Sequence, residues 1–322
     1  MSTFAYANPR VIHWGAGSSS KLRELDAKSI GVVTTRSLRD SLDHLPIQPA
    51  RVIVIGQHAP MSEIDEGVRI AEGADAIVSF GGGSPIDAAK IIALRLGGIP
   101  HTAVPTTLSV AELAAGAGYT NEQGDKAGMR DPRLMVSAVI YDAELTLATP
   151  IQLWLSTGIR ALDHAVEGFL AEGQHPFNDV MALEAIRRLF DSLPRAKESP
   201  DDVGVRTENQ LAAWLSFTLP GASAAGLSHT MGKQIGARHG IPHGVTSCLL
   251  LPHVMRYLTT EMPDRTAQLP SPDEVYQLIA SLGLPQHIVA YGIGEAELGR
   301  AATELGGKYR ADDLARIYLS AL

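Results

Sequence analysis

Three short motifs carry histidines, and their chemistry sets the first question. Gly158-Ile159-Arg160-Ala161-Leu162-Asp163-His164 is followed far along the chain by Gly226-Leu227-Ser228-His229 and Gly240-Ile241-Pro242-His243. Neutral imidazoles in such a set are donors for Zn²⁺ or Fe²⁺, and a carboxylate or water usually completes the shell. One helical turn before His164 the chain has Arg160 instead. A guanidinium keeps its charge and offers no lone pair. Asp163 adjoins His164 rather than sharing its face, so it is a poor replacement ligand. His229 and Lys233 are four apart and do share a face. The competing reading is an anion pocket. Arg160 then receives a substrate carboxylate, while Lys233 and the histidines polarise a carbonyl or enol and supply a proton. We favour the second reading. It makes Arg160, His164, His229, Lys233 and His243 the candidate catalytic residues and expects no metal.

A second constellation suits phosphate. Ala76–Phe80 runs straight into Gly81-Gly82-Gly83-Ser84-Pro85-Ile86-Asp87. Glycines let the main chain approach a ligand closely, and the start of a helix offers free N–H groups to an anion. The spacing places Ser84 at the N-cap, Pro85 at the first helical position and Asp87 at the third. The run is neither a Gly-x-Gly-x-x-Gly fingerprint nor a P-loop, since Lys90 lies too far into the helix. After the next strand, Thr106 and Thr107 can meet the same ligand. At the end of the first core strand, Thr35 stands where an acid would bind a ribose 2′-hydroxyl, with Arg36 beside it. NADPH is therefore permitted and NADH is not excluded.

Other polar residues carry weaker signals. His239 reads as a solvent-exposed turn residue and His253 as helix packing. His13, His44, His58, His101, His175 and His287 have no phased partner. Glu112 suits the surface and the cleft equally.

The elements that must position these groups fall into two halves. Up to residue 148, short β-branched runs alternate with helical stretches, the grammar of an α/β unit. The expected strands are Ile30–Thr35, Arg51–Ile55, Ala76–Phe80 and His101–Val104, with an amphipathic stretch over Met61–Gly73. A polar, Gly-rich segment, Gly116–Pro132, leads into Met135–Tyr141, which reads as a hairpin or flap beside the parallel core. From residue 149 to 322 helical spacing dominates. The expected helices are Thr157–Ala171, Asn178–Leu193, Thr207–Leu219, Ala224–Ala237, Val245–Tyr257, Asp273–Leu282, Glu295–Leu305 and Ala311–Leu322, punctuated by Pro150 and Pro194. An α/β domain over 1–148 followed by a helical domain over 149–322 leaves a cleft between them, the default place for a ligand.

Composition narrows the functional classes. At 322 residues and 45% hydrophobic content the chain can bury two cores. Net charge is −8 without a basic block, and aromatics are 5%, which argues against nucleic acid. No stretch approaches the ~18 apolar residues of a membrane span. Met1–Arg10 lacks the apolar core of a signal peptide. The single cysteine, Cys248, excludes an intrachain disulfide and thiolate clusters. A cytoplasmic setting fits.

Taken in order, Val11-Ile12-His13-Trp14-Gly15-Ala16-Gly17, the Gly81 to Lys90 run, Val104-Pro105-Thr106-Thr107, Tyr141-Asp142 through Leu147, the His164 helix and Pro242-His243-Gly244 resemble the iron-containing (group III) alcohol dehydrogenase superfamily, which includes dehydroquinate synthase-like proteins. The resemblance runs essentially the full length. It implies an N-terminal Rossmann-like parallel-sheet domain followed by an all-α domain, and NADH or NADPH as cofactor. It also implies a pyrophosphate site at Gly81, Gly82, Gly83 and Ser84, with Asp87, Thr106 and Thr107 alongside. The family's metal shell is one Asp and three His. Here the histidines match His164, His229 and His243, the Asp position is Arg160, and a further histidine position is Lys233. Arg130-Asp131-Pro132-Arg133, Val139-Ile140-Tyr141-Asp142 and Ala213-Trp214-Leu215 are similar to the maleylacetate reductase branch. That branch works without metal, reduces the enone of a dicarboxylate in aromatic compound catabolism, and typically has Asn at position 160 and His at 233. The expectation is a metal-independent NAD(P)H-dependent reductase of a small anionic substrate, such as a dicarboxylate, acting as a homodimer. The alternatives are a Zn- or Fe-dependent alcohol dehydrogenase and a dehydroquinate synthase-like lyase or cyclase without net redox.

Overall fold

The computed structural model describes residues 8–173, 175–219 and 226–322. Its first half is built on parallel strands β1 (Val11–Trp14), β2 (Ile30–Thr34), β3 (Arg51–Val54), β4 (Ala76–Gly81) and β5 (His101–Pro105). A hairpin, β6 (Gly116–Thr120) with β7 (Lys126–Arg130), precedes the last strand, β8 (Ala138–Tyr141). The six-stranded sheet has the order β1-β8-β5-β4-β2-β3, parallel throughout. Every residue of β4 and β5 is buried. That suits central parallel strands covered on both faces, where no polar alternation is needed. Helices α1 (Met61–Ile70) and α2 (Gly83–Arg95) form the crossovers around β4. The chain steps outward from β2 to β3 and then returns across β2 to β4, so strand order reverses there. Ligands in such sheets bind outside the carboxyl ends of the strands at this reversal, where Thr35 and the Gly81–Ser84 turn lie.

Two sequence expectations need correction. Met135–Tyr141 is not a flap: its 138–141 part is an inner strand between β1 and β5. The hairpin is the preceding segment alone, pairing Gly116–Thr120 with Lys126–Arg130. The Ile140-Tyr141 end is buried like the neighbouring core, and four apolar residues are enough for an inner parallel strand. The edge strand Val11–Trp14 went unassigned because it is short and half exposed.

The second half is helical. It comprises α3 (Ile151–Phe169), α4 (Pro176–Glu198), α5 (Val203–Leu215), α6 (Leu227–His239), α7 (His243–Glu261), α8 (Pro263–Thr266), α9 (Pro272–Leu282), α10 (Glu295–Leu305) and α11 (Ala311–Ser320). The expected start of one helix at Ala224 lies outside the described residues. Pro194 does not end a helix as expected; it lies inside α4, whose flanking Leu193 and Ala196 are buried in the core. Packing of this apolar face outweighs the lost main-chain hydrogen bond.

Sixteen of the nineteen residues of α3 are buried. A helix surrounded in this way must pair its polar residues or turn them into a cavity. It is also fixed to the first half. Leu108 N–H donates to Thr157 Oγ1 at 3.1 Å, and Thr149 Oγ1 donates to the Thr106 carbonyl at 2.8 Å. The start of α7 lies directly on its backbone: a Cβ on Gly244 would stand 2.8 Å from the Ser156 carbonyl carbon and oxygen. Gly244→Ala should therefore destabilise the protein by about 1–3 kcal/mol in urea unfolding, because backbone cannot swing aside as a side chain can. An unchanged midpoint would mean that α7 is free to shift.

Candidate active site

A cleft of ≈ 1450 Å³ opens between the strand ends and the helical half. Thr35, Gly82, Gly83, Ser84, Thr106 and Thr107 line one end; Arg160, His164, His229, Lys233 and His243 line the other. Asp87 lines the wall between them, and Gly81 alone of the expected site residues is not in the lining. Gly81 acts from behind: its carbonyl accepts from Thr106 N–H at 2.9 Å, joining the two ligand turns.

The phosphate end differs locally from the sequence expectation. The N-cap of α2 is Gly82, not Ser84, and no side chain caps this end. Ser84 Oγ instead accepts from His58 N–H at 2.9 Å. Asp87 is no capping residue either; its carboxylate accepts from Gly118 N–H at 2.9 Å and pairs with Lys90 at 3.4 Å. With Gly82 as cap, the first N–H groups of α2 keep no side-chain partner and face an incoming anion. A Cβ at Gly82 would press on Thr107 at 3.0 Å, so only glycine leaves this approach open. Thr107 Oγ1 and Ser109 Oγ are buried without a partner. Buried hydroxyls of this kind need a ligand or water, and a dinucleotide's diphosphate and ribose suit this cradle.

The other end is organised by α3. Arg160, Asp163, His164 and Glu167 lie along one stripe of that helix. Arg160 Nη1 donates to Asp163 Oδ2 at 3.2 Å and to Ser247 Oγ at 3.1 Å, and Nη2 meets His229 Nδ1. Asp163, expected to be a poor replacement metal ligand, is an ion-pair partner of Arg160, because a spacing of three on a helix brings side chains together. Asp163 Oδ2 also accepts from Ser247 Oγ at 2.6 Å and Ser228 Oγ at 3.1 Å. Burial pushes Asp163 above the usual carboxylate range while the Arg160 charge and these hydroxyls pull it back. Glu167, raised well above its ordinary value by burial and then by Asp163, accepts main-chain N–H bonds from Gly226 and His229 at 3.0 Å each.

The Arg160 contact fixes a tautomer. A guanidinium only donates, so His229 Nδ1 accepts and its ring proton sits on Nε2. His164 stands edge-on to Phe217 with ring centroids 5.1 Å apart, and its ring lies 5.9 Å from that of His229. Burial, then the positive Arg160, lowers His164 well below the usual histidine range. His243, open to the cleft but walled elsewhere, is lowered to about 3 by burial, Arg160 and Lys126. Both rings are therefore neutral near pH 7. Among the described residues no group of three or more His, Cys, Asp or Glu side chains is arranged to hold a metal ion. With Arg160 on His229 Nδ1, these residues do not fit a bound iron.

Several cleft residues escaped the sequence reading. His58 was set aside as unpartnered, yet its ring faces His243 at 6.4 Å. It and Ala59 adopt left-handed backbone, φ 65° and 49°, at a strand end where ligands are expected. Lys126 lies on β7, where nothing in the linear sequence marks it. Glu112 lies neither on the surface nor in the cleft lining; it is buried and accepts from Tyr141 at 2.7 Å. Burial raises its acid to about 6. His101 pairs with Ser79 in the core, and His239 with Glu297 at 2.9 Å. His253 packs edge-on against Tyr276, as a helix-packing residue should.

The charge balance of the cleft is one-sided. Arg36, Lys126, Arg130, Arg160 and Lys233 line it, against only Glu63 and Asp87. Both carboxylates are tied to main-chain N–H groups, of Gly56 and Gly118.

The iron-containing alcohol dehydrogenase profile matches residues 9–143, and the C-terminal profile of the same family matches 154–306. The chain belongs to the iron-containing alcohol dehydrogenase family. The maleylacetate reductase of Rhizobium sp. (strain MTP-10005) is 32% identical over 320 residues, 94% of this chain and 91% of that one. That of Delftia acidovorans is 32% identical over 315 residues, 91% of this chain and 88% of that one. The crystal structure of maleylacetate reductase from Agrobacterium tumefaciens superposes with a TM-score of 0.91 at 30% identity, covering 100% of this chain and 98% of that one. This family member is an oxidoreductase of the maleylacetate reductase branch, and the family's enzymes use NADH or NADPH. Among its described residues no helix is long and apolar enough to cross a membrane.

Two outcomes follow from the electrostatics. Asp163→Ala strands a buried guanidinium and should cost about 3–5 kcal/mol in unfolding experiments, whereas Asp163→Asn, which still accepts hydrogen bonds, should cost less. Burial lowers Lys126 to about 8, so its ammonium is present below that pH and lost above it. The dissociation constant of NADH, read by fluorescence, should rise as pH passes about 8. Lys126→Arg should flatten the rise, because a guanidinium stays charged; a flat wild-type profile would refute the assignment.

Proposed function

We propose that this protein is a metal-independent, NAD(P)H-dependent reductase of an enone or ketone in a small carboxylate substrate, acting on an unsaturated oxo-dicarboxylate of the maleylacetate type. The single observation carrying this reading is the cation-rich cleft of a chain with net charge −8, in which a phosphate cradle at one end faces Arg160, Lys233 and neutral imidazoles at the other. The reductases from Rhizobium and Delftia act on maleylacetate by name, which supports the same substrate class here.

A reduced nicotinamide, when bound, supplies a hydride to the electrophilic carbon of the enone. The chain's residues do the rest. Gly82, Gly83 and Ser84 hold the diphosphate on the first turn of α2, with Thr35, Asp87, Thr106 and Thr107 alongside. Lys233, exposed on α6 and without an ion-pair partner among the described residues, attracts the substrate carboxylate. Arg160 has given most of its N–H groups to Asp163, Ser247 and His229, so it adds charge and orientation more than a free fork. His229 directs its Nε2–H outward as a donor to the oxygen that becomes negative. Electrostatic donors fixed before reaction are worth about 2.7–4 kcal/mol each when they meet such a charge. His164 and His243 are neutral and serve as hydrogen-bond donors rather than as imidazolium acids. The proton that completes the reduction comes from the Lys233 ammonium, which water can recharge.

The test is oxidation of NADH and NADPH against maleylacetate, simple aldehydes and alcohols, with and without chelator and with metal content measured on the same sample. Turnover should appear with the dicarboxylate and survive chelation. Lys233→Ala and Arg160→Ala should each lower kcat/KM at least about ten-fold. Losses of only a few-fold, or activity that vanishes with chelator and returns with zinc or iron, would overturn the reading.

A further inference from the structure

Lys90 is wholly buried, and no step above uses it. Its side chain is 0% exposed. The ammonium donates to the carbonyls of Ala111, Ala114 (2.8 Å) and Gly116 (2.7 Å) and reaches Asp87 at 3.4 Å. Three N–H bonds meet a cage of oxygens such as a hard cation would take. All three carbonyls belong to one stretch of cleft wall, Val110 to Gly118. That stretch is held in an uncommon shape: Val110, a β-branched residue, has φ 55°. Asp87 ties its far end by accepting from Gly118 N–H. The wall also touches the phosphate turn, since a Cβ on Gly83 would lie 3.5 Å from Ser109 Oγ and 3.8 Å from the Ala111 Cβ. The distance between wall and glycine turn is therefore set from behind, by the Lys90 ammonium together with the Asp87 carboxylate.

We propose that Lys90 is a positioning residue for the cofactor: a built-in cation, ligated by the main-chain carbonyls of residues 111, 114 and 116, that holds the Val110–Gly118 wall against the glycine turn. The proposal rests on the cleft being the nicotinamide cofactor site. Burying a charge is costly unless every partner is in place, and these carbonyls have no other donor of comparable strength. Burial lowers the lysine from its ordinary value while the Asp87 and Glu112 carboxylates raise it back. Removing the ammonium leaves the Ala114 and Gly116 carbonyls without a donor and Ala111 with only its 3.3 Å bond from Ala114 N–H, so the wall relaxes. The geometry adds a specific consequence. A cage of carbonyl oxygens replaces the water shell of potassium-sized ions, so shortening Lys90 should create a site that ammonium or potassium can occupy.

The experiment measures NADH and NADPH dissociation constants by fluorescence, which needs no substrate. Lys90→Met should weaken binding by about ten-fold or more, with kcat at saturating cofactor changed by less than about three-fold. Lys90→Ala should show the same weakening in choline buffer and recover at least half of the loss when ammonium or potassium replaces choline, while the wild type is indifferent to the cation. In the wild type without cofactor, amides of residues 110–118 should exchange as slowly as those of α2. Cofactor binding unchanged within about two-fold in Lys90→Met, no recovery of Lys90→Ala with either ion, or fast exchange that slows only on adding cofactor would each overturn the proposal. The exchange arm stands even if neither variant folds. A wild type that binds no nicotinamide cofactor would instead remove the reading beneath it.

Discussion

Arg160 sits near the middle of the most buried helix of the protein, and much of the active end follows from keeping its charge satisfied. Taking a guanidinium out of water costs several kcal/mol, and the cost is recovered only with good pairing geometry. The chain supplies Asp163 one turn along, Ser247 from α7 and the His229 ring from α6. Each of these partners is a constraint on a different helix. Asp163 also accepts from Ser228, and Glu167 accepts the first main-chain N–H groups around α6. A shift of α6 or α7 would therefore unpair buried charge, not merely open a gap between apolar side chains. The histidines hold their places because the guanidinium network holds the helices that carry them.

The same network decides which cation does which job. Against an exposed lysine, a buried arginine with three partners has little capacity left for an incoming carboxylate. At an effective dielectric near 20, opposite charges about 4 Å apart attract by roughly 4 kcal/mol, and Asp163 already receives much of that from Arg160. Lys233 and the half-buried Lys126 have no such partner among the described residues. Arg36 and Arg130, which also line the cleft, have none either, so on the proposed reading an anion is drawn by these cations more than by Arg160. Burial chiefly keeps His164 and His243 neutral; Arg160 adds a field in the same direction and a contact that fixes the tautomer of His229.

How far the chain could be read in advance follows from the range of the interactions involved. The strands at Ile30, Arg51, Ala76 and His101, the helical second half and the two ligand turns announce themselves through local periodicity and glycine placement. So do four polar residues at the far end, because Arg160 with His164 and His229 with Lys233 repeat at helical spacing, while His243 follows a proline turn. What failed was of two kinds. Ser84 gave up its expected capping role because a distant N–H, that of His58, competes for the same hydroxyl. Asp163 and Glu167 complete the stripe 160, 163, 164, 167, and their partners on α6 and α7 are brought to them only by the fold. Lys126 and His58 reach the cleft through the hairpin and a strained loop, and no local pattern encodes where those fold back.

Lys90 and Arg160 make a common point about such a site. Each places a cationic side chain where oxygen or nitrogen acceptors converge, and each is covalently tethered, so neither can be chelated away. Tethering has a geometric cost. An ion adjusts its position to its ligands, whereas a side chain on a packed helix must be met by them, so the ligands have to be pre-shaped. The left-handed Val110 beside the Lys90 cage and the convergence of three helices on Arg160 are the form that pre-shaping takes. On the proposed function, fit to such fixed charges favours small, multiply charged reactants over neutral ones.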